Sequence, residues 1–127
     1  MMKALTAALI ALPLLSLTAK AHDWYVGKND PVTGGSCCTT SKTDGYGDCA
    51  QLVVEPGVLE GDPQGYRLRL TLEQARKINP LRQTPVDTLI PWERMQVSED
   101  GNFHLCIPPN QKGLRYDFYC FWQPGAS

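Results

Sequence analysis

Two histidines are all the imidazole this chain has, and their settings suggest one piece of chemistry. His22 stands in "SLTAKAHDWYVGKND" and His104 in "FHLCI". A histidine at the start of a mature chain offers its α-amine and ring Nδ1 to one metal ion as a six-membered chelate. A second imidazole completes a three-nitrogen, T-shaped set that suits copper(II), whose tetragonal preference favours nitrogen ligands. His22 and His104 are therefore the candidate metal ligands and copper the candidate cofactor. The plainer alternative is that cleavage merely stops before His22, and that His104 is a satisfied side chain beside a disulfide.

Everything in that reading depends on where the mature chain begins. Met1-Met2-Lys3 is followed by an uncharged run, mostly Leu and Ala, that ends in Ala19-Lys20-Ala21. A basic start, a short apolar run and a small-x-small site describe a signal peptide over residues 1–21. A membrane anchor fits less well, because the run is shorter than the ~20 apolar residues a span needs and Pro13 interrupts it. Cleavage after Ala21 leaves residues 22–127 as a single exported domain, periplasmic or secreted, with no transmembrane segment.

Loss of Lys3 and Lys20 leaves ten basic against thirteen acidic residues, a net charge of −3. The arginines at 67, 69, 76, 82, 94 and 115 are scattered among carboxylates, so no stripe exists to neutralise phosphates and nucleic acid is not an expected partner.

All five cysteines, at 37, 38, 49, 106 and 120, lie in the exported part, where thiols oxidise. Two bridges and one leftover thiol are expected, and spacing does not choose the pairs. Adjacent Cys37 and Cys38 seldom bridge each other, so each should point elsewhere, one of them to the C-terminal strands. A zinc site is weakly supported, since these spacings miss the usual two to four residues. Cys106, two residues from His104 on the same strand face, resembles a nucleophile beside a base, but bridging would silence it. "DGYGD" lacks the full register of a calcium loop. The carboxylate pairs Glu60 with Asp62 and Glu99 with Asp100 sit in turn-like sequence and read as solvated surface. No residue is assigned a catalytic role.

Aromatic residues are many for so small a domain. Most should fill the core, while Trp24, Tyr25, Trp92, Tyr119 and Phe121 are candidates for a binding face. In "YDFYCFW", alternation sets Tyr116, Phe118, Cys120 and Trp122 opposite Asp117, Tyr119 and Phe121, so rings lie on both sides.

The elements that must position these groups are mainly β. Residues 27–48 read as loop pinned by cysteines. "CAQLVVE" is a short strand stopped by Pro56-Gly57, and "GVLEGD" a turn. "GYRLRLTL" alternates like a half-buried strand. Thr71 with Gln74 three residues on caps a short helix over "LEQARKIN" that Pro80 ends. "VDTLIPWERMQV" is an edge strand or two short pieces around a proline. "FHLCI" and "YDFYCFW" should pair as a hairpin. The expected fold is a disulfide-stabilised small β-sheet or barrel-like domain with one short helix.

The pieces "AHDWY", "CC" followed by "DC", "PVDTLIPWERM", "DGNFHLC" and "YCFWQPG" occur in order over most of the mature chain. In this pattern the sequence resembles a family of small exported proteins of Gram-negative bacteria, with a longer loop between Cys38 and Cys49 than the shorter members have. The resemblance implies an exported, disulfide-bearing domain and implies no activity. From the residues, the expected function is a non-enzymatic binding or structural protein of the cell envelope, engaging an envelope protein or ligand. The alternative is a copper-binding protein using His22 and His104.

Overall fold

The computed structural model describes residues 25, 27–38, 48–111 and 113–125. His22, Trp24 and the segment 39–47, which holds most of "DGYGD", lie outside the described residues. Within them the protein is mainly β, built as two sheets that do not close into a barrel.

Seven strands and one helix follow in order: β1 (Cys49–Gln51), β2 (Leu59–Asp62), β3 (Gly65–Leu70), α1 (Leu72–Ile78), β4 (Val86–Pro91), β5 (Met95–Val97), β6 (His104–Cys106) and β7 (Cys120–Gln123). One sheet has the order β1-β6-β7-β5 and the other β2-β3-β4. All pairs are antiparallel except β5 with β7, which is parallel.

The helix begins as its sequence requires. Thr71 Oγ1 accepts the Gln74 backbone N–H at 3.1 Å, and Gln74 Oε1 accepts that of Thr71 at 2.8 Å, which satisfies two amides the first turn would orphan. Asn79 ends it, one residue before Pro80. Its inner side chains, Ala75 and Ile78, join Leu68, Leu70, Val86 and Ile90 of the three-stranded sheet. The same core takes in Leu105, Ile107, Phe118 and Phe121 of the other sheet and the connection between its strands.

The expected segment around Pro91 divides in two. β4 runs at the edge of its sheet, a 3-10 turn over Trp92–Arg94 follows, and β5 joins the other sheet. "LEGD", expected as turn, is instead β2, paired with β3 from Leu59↔Leu68 to Asp62↔Gly65. The predicted pairing of the last two runs holds between β6 and β7, but the second run enters the ladder only at Cys120. Asp117 explains the delay. Its backbone N–H donates to Thr88 Oγ1 at 3.0 Å and its carboxylate accepts from the buried Arg82, which draws the chain away from the sheet.

Two proposed binding-face aromatics are core residues. Phe121 is fully buried because β7 is an inner strand covered on both sides, and its ring lies 5.9 Å from Phe103 and 6.2 Å from Tyr66 of the other sheet. Tyr25 is only 2% exposed and packs 5.4 Å from Trp122. Tyr119 is half-buried. Trp92 does stand outward, 51% exposed, with its indole N–H on the Pro63 carbonyl at 3.2 Å.

Candidate functional site

Strand alternation gathers the reactive side chains on one face of the four-stranded sheet. Register places Cys49, Cys106 and Cys120 side by side on one rung and Gln51, His104 and Trp122 on another two residues along. Residues two apart share a face, so three cysteines and the imidazole lie together while Ala50, Leu105 and Phe121 turn to the core opposite.

Tyr25 and the segment 27–38 cover that face. Asn29 and Ser36 form an isolated antiparallel bridge, and Asp30 accepts the backbone N–H groups of Val32 and Thr33 at 2.9 and 2.7 Å, which folds the segment on itself. Arg94 ties it down, its guanidinium donating to Asp30 at 2.8 Å and to the Tyr119 carbonyl at 3.1 Å while lying 4.2 Å from the Phe118 ring. Burial alone would push the Asp30 carboxyl up, but the Thr33 amide, the Arg94 guanidinium and the Val32 amide outweigh it and hold it below the ordinary value.

Two disulfides complete the attachment. Cys37 bridges Cys120, tying the covering segment to β7, and Cys49 bridges Cys106, joining β1 to β6. Cys37 and Cys38 thus diverge, as their adjacency predicts. Cys106 is no nucleophile in this state, and four of the five thiols are withdrawn from any zinc site. Cys38 belongs to neither bridge and is half-buried.

Beside the sulfurs, His104 is held at both ring nitrogens. Nδ1 lies 2.5 Å from the Tyr25 hydroxyl oxygen, and Nε2 lies 2.8 and 2.9 Å from the two carboxylate oxygens of Asp100. Burial first, then the electrostatic influence of Asp100 and Cys38, pushes the Tyr25 phenol well above its ordinary value, so it keeps its proton. Burial acts to raise the Asp100 carboxyl too. Hydrogen bonds from His104 and Asn102 outweigh it and hold the group below the usual carboxylate range. For a neutral imidazole the arrangement that satisfies all three groups has the phenol donating to Nδ1 and Nε2–H donating to Asp100. The result is a relay from a buried phenol, through an imidazole 3% exposed, to a carboxylate side chain 43% exposed.

Asp100 is the functional neighbour that composition did not disclose. It was expected as solvated turn surface, and it is exposed at a bend, but it is also the partner of His104. The signal was its spacing: "DGNFH" sets the carboxylate four positions before the imidazole across a tight turn, with Gly101 at φ +78°.

One further cluster adjoins the relay. Donor atoms of Cys38, Asp48 and Cys49 lie within 4.8 Å of one another, with Asp48 buried. As a metal site it is compromised, because Cys49 sulfur is spent in its bridge.

Whether His22 approaches His104 falls outside the described residues. Compared with protein-family models, with curated proteins and with solved structures, the chain finds no match in any of the three.

Proposed function

We propose that this chain is a periplasmic or secreted domain of the cell envelope that acts by binding an envelope protein or ligand, without catalysis of its own. The observation that carries the reading is the pair of disulfides clamping one sheet face, an arrangement suited to an oxidising compartment. The groups best placed for catalysis are already engaged: Cys106 is bridged, and His104 has a partner on each nitrogen. Trp92 is the outward-facing ring among the described candidates for contact with a partner.

The test is expression of the full chain in a Gram-negative host, followed by fractionation and intact mass. Recovery outside the cytoplasm, starting at His22 and four hydrogens lighter than the reduced chain, is the expected result. A full-length, reduced product in the cytoplasm overturns the reading.

A second reading, copper binding through His22 and His104, is favoured by one contact. Tyr25 is hydrogen-bonded to His104, and only three residue steps, at most about 11 Å when extended, lead from it to His22. Asp100 is exposed enough to turn aside, so Nε2 is the nitrogen a metal would take. Exported protein given one equivalent of copper(II) and desalted should retain one ion by native mass. The ion should be lost in His104→Ala and in a chain with one extra residue before His22; retention in both ends this reading.

A further inference from the structure

We propose that Cys38, Cys49 and Cys106 form a thiol–disulfide exchange centre, in which the Cys38 thiolate attacks Cys49 Sγ and hands the bridge from the buried pair to a more accessible one. The inference rests on neither the binding nor the copper reading, and it goes beyond the first by giving the chain a covalent reaction of its own.

Three observations converge on it. Cys38 Sγ and Cys49 Sγ lie within 4.8 Å of each other, and Cys49 is bonded to Cys106. A change of Cys38 between staggered rotamers moves its sulfur by about 3 Å, enough to bridge most of that gap. Exposure differs in a useful direction: Cys49 and Cys106 are buried, whereas Cys38 is only half-buried.

The step balances within the chain. A new bond forms between Cys38 Sγ and Cys49 Sγ, the Cys49–Cys106 bond breaks, and Cys106 leaves as thiolate and takes up the proton that Cys38 gave up. No external oxidant or reductant enters. The product carries its bridge at one half-buried residue rather than between two buried ones, and a thiol on another molecule that attacks Cys38 gives a mixed disulfide and releases Cys49. The ligand class is therefore a thiol-bearing molecule. The Cys37–Cys120 bridge keeps the covering segment attached throughout.

The experiment uses the intact oxidised protein, held in mildly alkaline buffer without added thiol. It is then quenched in acid, unfolded, alkylated and mapped as non-reduced peptides. Exchange predicts alkylation divided between Cys38 and Cys106, together with a Cys38–Cys49 linked peptide. In Cys38→Ser, both the Cys106 label and the new linkage should vanish. Label on Cys38 alone in the wild type overturns the proposal, as does label on Cys49 or Cys106 label that persists in Cys38→Ser. The wild-type map decides the matter by itself if the variant fails to fold.

Discussion

The Tyr25 hydroxyl oxygen lies 2.5 Å from Nδ1 of His104, a contact between residues 79 positions apart that anchors the start of the covering segment to the central strands. Both residues are almost fully buried. The bond therefore does two things at once: it satisfies an imidazole nitrogen that water cannot reach, and it fixes Tyr25 against the sheet.

Tyr25→Phe tests the first of these roles. The ring and its packing on Trp122 remain, but Nδ1 of His104 loses its buried donor, a loss worth about 1–3 kcal/mol. Chemical denaturation of the oxidised protein should show a lower midpoint with an unchanged slope. An unaltered midpoint would mean that His104 finds another partner at no cost.

Arg82 should be less forgiving. Its guanidinium is fully buried and donates to the carbonyls of Thr84, Pro85 and Pro108 and to both oxygens of Asp117. Removing one side of such a pair strands the other, so Arg82→Met should cost about 3–5 kcal/mol, and adding Asp117→Leu should restore part of it. Denaturation of the single and double variants gives the comparison. A double variant weaker than the single by the full cost of Asp117→Leu would show that the two do not act as a pair.

What the sequence discloses is what local chemistry specifies. Thr71 and Gln74 name their own capping box, alternation in "GYRLRL" names β3, and neighbouring Cys37 and Cys38 must diverge. β2 stays hidden because "LEGD" has little strand preference of its own and owes its conformation to pairing with β3. Tyr25 and Phe121 looked like candidates for a binding face, since ring type does not say which side chains another segment will cover. The relay is half-legible: His104 stands out as one of two histidines, whereas Asp100 is one of many acidic residues until the turn at Gly101 brings it to the imidazole. Arg82 with Asp117 and Arg94 with Asp30 are separated by 35 and 64 residues and carry no local signal.

Gly65 offers a sharper test of the β2–β3 turn. Its φ is +155°, and a Cβ there would sit 1.8 Å from the Ile90 carbonyl oxygen on the neighbouring strand. Gly65→Ala must displace backbone, at a cost of about 2–4 kcal/mol. Gly61→Ala, where a Cβ meets nothing within 4 Å, is the matched control and should be close to neutral. Thermal unfolding of the two variants should separate them clearly; equal midpoints would mean that the β3–β4 pairing yields without cost.

Acid stability follows from Asp30. Its carboxyl is held below the ordinary aspartate value of 3.8 in the folded protein, despite burial, by the Thr33 and Val32 amides and by Arg94. Between the folded and unfolded values the unfolded chain binds more protons, so stability falls as pH drops. The contribution is whole above the unfolded value and disappears as pH passes down through the folded one. Asp30→Asn removes it and leaves the Arg94 guanidinium, itself buried, without its carboxylate. Denaturation at a series of pH values should therefore show the variant well below the wild type near neutrality, with the gap narrowing as pH falls below 3.8. A gap of constant size across that interval would show that Asp30 holds the covering segment by shape and hydrogen bonding alone, and that its charge contributes nothing to keeping the segment on the sheet.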